Sequence, residues 1–354
     1  VGRNETGAGR VTLATIAEAL GVSRATVSNA YNRPDRLSAQ LRAQVLRTAH
    51  ELGYAGPDPV AATLARGRIA AIGVVLEDPM SFTFADPAAS LLLQGISEVC
   101  GQQDSALVLI PGPSGPIARV ALVDGVICYC DLPDGAALET IRERRLPFVV
   151  VDGPTHDGAG HVGIDDRTAA RAAARHLLDL GHRRFGVVAM PMHPDGWEGR
   201  PSPEREATAH FLGTRRRLAG YRDALAEAGL GHDAAVVEER APYGRDAGRR
   251  AAHALLARDP RPTAVLAMSD ELALGVLDAA LSLGLDVPGD LSVVGFDDVP
   301  GAALARPALT TVRQPHREKG RAAASMLLPG PVRKDPVVLP TDLVVRGSTG
   351  PRRP

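Results

Sequence analysis

A chain of 354 residues with a net charge of −1, few aromatic residues and abundant Gly and Pro suits a soluble α/β protein of two or three domains with a sizeable core. No run of eighteen apolar residues occurs, and "VGRNETGAGR" lacks the apolar stretch of a secretory signal, which speaks against a membrane span or export and for a cytoplasmic protein. The near-neutral total hides an asymmetry: residues 1–68 hold nine Arg against five Asp or Glu, a charge of +4 that leaves −5 on the rest, so a polyanionic partner is expected for the head alone.

Residues 1–11 are Gly-rich and without period, a disordered tail by expectation. "VTLATIAEAL" then predicts a helix capped by Thr12, with Leu13, Ile16, Ala17 and Leu20 on one face and a stop at Gly21. Ser23 caps the next helix, "RATVSNAYN", and so short a turn forces the two helices to cross steeply. A third begins at Ser38, with Leu41, Val45, Ala49 and Leu52 as its stripe and Gly53 as its end. The second helix is too polar for a core. Val22, Val27 and Ala30 can pack inward, which leaves Arg24, Ala25, Ser28, Asn29 and Asn32 outward. A helix, a tight turn and a polar second helix suit the DNA major groove, where Arg and Asn pair with base edges while Ser and Thr hold phosphate. The same face would also serve a small protein-binding domain.

Residues 12–55 are thus a helical head, and 56–68, with Pro57, Pro59 and an Ala-rich turn, a hinge. From Ile69 the pattern changes. "IAAIGVVL", "ALVLIP", "DGVICYC", "PFVVVDG", "RFGVVAM", "TAVLAMS" and "LSVVGFDD" look like buried parallel strands, with amphipathic helices at 168–180, 214–228, 245–258 and 270–284. This is a doubly wound α/β body over 69–350, expected as two subdomains: one of about 69–162 and 303–331, the other of about 163–302 and 332–350. Cys128 and Cys130 should share one side of a strand and, with Cys100, be core thiols rather than metal ligands. The aperiodic stretch 191–213, with the only Trp, is either a loop covering a cleft or a mobile insertion.

"VTLATIAEALGVSRATVSNAYNRPDRLSAQLRAQVLRTAHELGY" resembles the DNA-binding head of the lactose-repressor and galactose-repressor family of bacterial transcription regulators. The resemblance continues through "PVAATLARGRIAAIGVV", "HLLDLGHRRFGVV", "RRLAGYRDAL", "PTAVLAMSDELALGVLDAALSLGLDVPGDLSVVGFDDVP" and "LTTVRQP" over almost the whole chain. It implies a homodimer that binds pseudo-palindromic double-stranded operator DNA and a small-molecule effector. The fold it implies is a helix-turn-helix head on a periplasmic-binding-protein-like body. By this resemblance Arg24, Ala25 and Asn29 read bases, Thr12, Thr15, Ser28 and Asn32 hold phosphates, and Leu64 in the hinge wedges a base step of the minor groove. Ala25 stands where a longer polar side chain is common, so the operator cannot be copied from a relative.

In doubly wound sheets ligands sit at the strand carboxyl ends. By resemblance Asp152, Arg217, Ser269 and Asp297 hydrogen-bond the effector, with Phe82, Tyr129, Tyr243 and His316 as walls. Carboxylates and a guanidinium suit the hydroxyls of a sugar or nucleoside. Ser269 stands where Asn is frequent in sugar-sensing relatives, and Asp270 and Asp298 are either ligand contacts or structural groups, Asp270 as a helix N-cap. "GPSGPIARVALV" is too short for the helix that usually crosses between its strands, and Gly112–Gly115 is no phosphate loop because no Gly-Lys-Ser or Gly-Lys-Thr follows. No cofactor, metal set or catalytic group is expected. His156 and His161 read as a solvated loop, and a hydrolase built on Asp297 and Asp298 rests on adjacent carboxylates alone. The other candidate is a transport-type solute-binding protein, which the basic head and the missing signal argue against.

Overall fold

The computed structural model describes residues 11–56, 69–76, 78–111, 119, 121–130, 135–328 and 333–353. Leu64 and nearly all of the hinge, the tail before Val11, and residues 112–118 with Gly112–Gly115 lie outside them. The chain divides into two units, Val1–Ile69 and Ala70–Pro354.

The first unit holds α1 (Leu13–Leu20), α2 (Arg24–Asn32) and α3 (Ala39–Glu51). Each begins where a hydroxyl accepts an N–H left unpaired in the first turn: Thr12 from Thr15, Ser23 from Thr26, Ser38 from Leu41. Gly21 at φ 65° ends α1 in the left-handed region. Ile16, Ala17, Val27, Ala30, Val45 and Ala49 form the small core, closed at one end by the edge-to-face rings of Tyr31 and Tyr54 at 5.9 Å. The expected stripe of α3 stops short, because Leu52 follows the last helical residue and is exposed. A single 3-10 turn, Pro34–Arg36, lies between α2 and α3 and has no signal in the periodicity.

The second unit is built on two six-stranded sheets. In the first lobe β1 (Ala71–Leu76), β2 (Ala106–Pro111), β3 (Gly125–Tyr129), β4 (Phe148–Val151), β5 (Gly160–Ile164) and a late strand β11 (Val337–Leu339) run in the order β11-β5-β4-β3-β1-β2. In the second lobe β6 (Phe185–Ala189), β7 (Ala235–Glu239), β8 (Ala264–Ala267), β9 (Ser292–Asp297), β10 (Thr310–Arg313) and β12 (Asp342–Val344) run β12-β10-β9-β8-β6-β7. All pairs are parallel except β10 with β12.

Helices α4 (Met80–Ala85), α5 (Pro87–Gln102) and α6 (Ala136–Glu143) belong to the first lobe. Those of the second are α7 (Asp166–Asp179), α8 (Pro203–Ala207), α9 (Leu212–Glu227), α10 (Arg245–Leu256), α11 (Asp270–Ser282) and α12 (Pro300–Leu304). Then α13 (His316–Leu327) returns to the first lobe against α5. Backbones meet there: a Cβ on Gly95 would lie 2.0 Å from the Arg317 carbonyl oxygen, and one on Gly320 2.1 Å from that of Leu92.

Three boundaries differ from expectation. Because β10 pairs with β9, the chain stays in the second lobe until Arg313 and does not leave at 303. Because β11 pairs with β5, it stays in the first lobe until Leu339 and does not leave at 332. Strand β5 carries the first lobe to Ile164, two residues beyond the expected end. Short strands such as "VVL" and "DLV" carry no alternation of their own, and partners distant in sequence decide their sheet.

Candidate functional site

On α2 the outward face is the polar one. Val27 and Ala30 are fully buried and Val22 half-buried, while Arg24, Ala25 and Asn32 are exposed and Ser28 and Asn29 half-exposed. Asn32 donates to the Ser28 hydroxyl at 3.3 Å, so the two act as a pair. Thr12 and Thr15 are engaged first with each other: Thr12 Oγ1 accepts the Thr15 N–H, and Thr15 Oγ1 accepts the Thr12 N–H at 3.3 Å. Their hydroxyls stay exposed at the start of α1, where the helix dipole favours an anion. Arg42 is held nearby through its Nε on the Ala30 carbonyl, at 3.3 Å.

In the second unit a cavity of about 400 Å³ opens between the two lobes. The first lobe supplies Asp78, Cys130 and Asp152 from strand ends; the second supplies Met190, Pro194, Phe211, Tyr243 and the backbone around them. One wall is carboxylate and the other largely apolar. Of the anticipated effector residues, Asp152 and Tyr243 line this cavity. Phe82 supports Tyr243 edge-to-face, ring centres 4.9 Å apart, and Tyr243 donates to Asp86 Oδ2 at 3.4 Å, which joins the lobes. Burial raises the phenols of Tyr129 and Tyr243 well above the ordinary tyrosine range. Asp78 is raised by burial. Asp86 is pushed up to about 6, first by burial and then by the charge of Asp297.

Arg217, Ser269 and Asp297 are not walls of the cavity; they belong to a buried polar cluster that Asp86 connects to it. Arg217 donates to Asp166 Oδ1 at 2.9 Å and to the Met268 carbonyl, with its guanidinium 3.9 Å from the Phe296 ring centre. Asp297 accepts Gln314 Nε2 at 2.6 Å, and His316 Nε2 lies 3.4 Å from it without a directional hydrogen bond. Ser269 is the N-cap of α11 and accepts the Leu272 N–H, so the capping role expected of Asp270 falls to its neighbour. Asp270 instead accepts the Val299 N–H at 2.8 Å and the Thr311 hydroxyl, fully buried, and its carboxyl is raised by burial and by Asp297. Asp298 is clamped by Arg313 and Arg346 and has no freedom for a reacting role.

Other placements correct the sequence reading. Cys128 is core, its thiol pushed up to about 12 by burial, but Cys130 falls past the end of β3 at φ 65° and lines the cavity. The chain turns there, so the expected alternation ends one residue early. His161 lies on β5 and Nε2 contacts the Gly153 carbonyl, whereas His156 is on the loop. The stretch 191–213 is no plain mobile insertion: it contains α8, buries Met192 and Ala209, and supplies much of the cavity wall. Missed entirely was Lys319, fully buried, whose Nζ donates to both Asp152 oxygens at 2.7 Å and to Gln314 Oε1. Its signal was available: Lys319 shares the helical face of His316, Gly320 and Ala323, where a cation without a partner would be costly. Among the described residues no group of His, Cys, Asp and Glu could hold a metal ion, and no helix is long and apolar enough to cross a membrane.

Residues 12–56 match the family model "Bacterial regulatory proteins, lacI family", and residues 174–349 match "Periplasmic binding protein-like domain". An HTH-type transcriptional regulator of Mycobacterium tuberculosis is 42% identical over 97% of this chain and 98% of its own. The solved lac repressor dimer bound to operator and the anti-inducer ONPF superposes with a TM-score of 0.78 at 27% identity, covering 96% of this chain and 99% of that one. The regulator CelR in complex with cellobiose is 29% identical with a TM-score of 0.68, covering 96% and 100%.

Proposed function

The chain belongs to the lacI family of bacterial regulatory proteins and is a DNA-binding transcriptional regulator, and on that premise we propose that it is a repressor released or recruited by a small uncharged effector bound between its lobes. The observation that carries the reading is the two-sidedness of α2. Its apolar residues are spent on the head's core, and Arg24, Ala25 and Asn29 are left for base edges, with Thr12, Thr15, Ser28 and Asn32 for phosphates. Such a protein works as a cytoplasmic homodimer on a pseudo-palindromic operator, one head per half-site. The lac repressor structure is a dimer on its operator, and this chain offers Leu281 and Leu304, each 80% exposed, for a second copy.

For the effector, the support is the chemistry of the cleft. The Arg217 and Lys319 cations are already matched by Asp166 and Asp152, so among the described residues an anionic ligand finds no spare counter-charge there, while Asp78 on the cavity wall remains as an acceptor for hydroxyls. A sugar or nucleoside fits: hydroxyls toward the carboxylates, an apolar face toward Pro194 and Phe211. CelR holds cellobiose. Effector binding that favours one arrangement of the lobes shifts the population of the DNA-binding state by its differential affinity.

The test captures sheared genomic DNA on the intact chain and sequences the retained fragments. A shared pseudo-palindrome is expected. Arg24→Ala should weaken its binding by about 1–3 kcal/mol at one stated salt concentration, through loss of a base contact. Retention without any shared sequence, or unchanged affinity of the variant, would remove the assigned role of α2.

A further inference from the structure

Residues 191–213 hold one short helix, α8, and the first two residues of α9, yet they are pinned at several points to the second lobe. Arg205 does most of it. Nε and Nη2 donate to the two Glu239 carboxylate oxygens at 2.7 and 2.8 Å; Nη1 and Nη2 donate to those of Asp195 at 2.8 and 2.9 Å. The guanidinium also lies 4.5 Å from the centre of the Trp197 ring. Glu239, its side chain 0% exposed, further accepts the Met192 N–H at 2.7 Å, and its backbone pairs with Gly199. The Met192 carbonyl accepts the His210 N–H at 2.7 Å, which ties the two ends of the segment together.

Arg205 is not a wall of the cavity, but its two partners stand next to the residues that are. Met192, bonded to Glu239, lies between Pro191 and His193; Asp195 lies between Pro194 and Gly196; all four neighbours line the cavity. One planar, five-donor fork therefore spans a buried carboxylate and an exposed one and sets the spacing of the wall between them. We propose that Arg205 is a positioning residue of the effector cleft: by bridging Asp195 to Glu239 it fixes where the wall 190–196 stands, and so which ligands the cleft admits. This rests on the reading of the cleft as the effector site.

Two variants of the intact chain separate bridging from charge compensation. Arg205→Lys leaves Glu239 a cation but cannot fork to both carboxylates, and Asp195→Asn removes the outer anchor from an exposed position. Cys130 lines the same cavity whereas Cys100 and Cys128 are buried, so alkylation by iodoacetamide, read by peptide mass spectrometry, reports whether the wall still stands. Both variants should raise the Cys130 rate about tenfold, which corresponds to about 1.4 kcal/mol of local protection, with Cys100 and Cys128 unreacted. A Cys130 rate equal to that of the parent, or a common rise at all three thiols, overturns the proposal. In a second arm ribose, cellobiose and cytidine are tested by thermal shift. Any that stabilises the parent should bind Asp195→Asn about tenfold more weakly, and equal affinity overturns the positioning role. If none stabilises the parent, the sugar or nucleoside reading fails, while the Cys130 rates still decide on the clamp.

Discussion

Asp86 shows what a single residue does at the meeting of the lobes. It caps α5 by accepting the Ala88 N–H at 3.0 Å, receives the Tyr243 hydroxyl, and is surrounded by Asp297, His316 and Tyr129. Its carboxyl is held up at about 6, so the folded chain binds this proton more tightly than the unfolded chain, whose carboxyl titrates near the ordinary value. The ionised form is the penalised one. The penalty is present above about pH 6 and disappears as the pH falls toward about 4, a difference of up to about 3 kcal/mol. Asp86→Asn keeps the cap and removes the titration. It should therefore be more stable than the parent at about pH 7.5, with the gap closing at about pH 4.5, in urea titrations at the two values. A constant gap would place the penalty elsewhere. The sequence contains Asp86 but no sign of this role, since Asp297 and Tyr243, which decide it, are remote in the chain.

Elements were more legible than residues. The three head helices follow from cap hydroxyls, Gly21 and a 3.6-residue period, all of which act within a turn or two. The strong strands were legible as apolar runs, while β5, β7, β10 and the two late strands were not, because their residues also suit loops. What joins elements was hidden altogether. The α5 and α13 pair approaches so closely that Gly320→Ala brings its new Cβ to 2.1 Å from the Leu92 carbonyl oxygen. On an isolated helix that change would help by about 1 kcal/mol; here overpacking should reverse the sign and cost about 1–3 kcal/mol. Urea midpoints of the parent and the variant check it, and a midpoint that rises would mean the helices can part without loss.

For the whole molecule, the leucines on α11 and α12 carry the prediction about assembly. Leu281 and Leu304 flank a hollow that also takes in Leu274, Leu277 and Arg306, and a monomer seldom leaves such a patch to water. Leu281→Glu combined with Leu304→Glu should halve the mass seen by sedimentation and weaken operator binding, because two heads then no longer act together. A variant that remains dimeric assigns the contact to another face.

The family, the three-helix head, the α/β body and the outward face of α2 were determined by the sequence itself. Caps, periods and apolar runs are local, and the long resemblance repeats them along nearly the entire chain. The tertiary structure alone decided which charges meet. Lys319 closes on Asp152 across 167 positions, Arg205 on Glu239 across 34, and Asp298 is taken up by two arginines rather than by a ligand. It also decided that Cys130 faces the cleft and that 191–213 is a clamped wall. The physical reason is the range of the forces: hydrogen bonding within a helix is set by neighbours in the chain, whereas a buried charge takes whichever partner the folded backbone brings within about 3 Å.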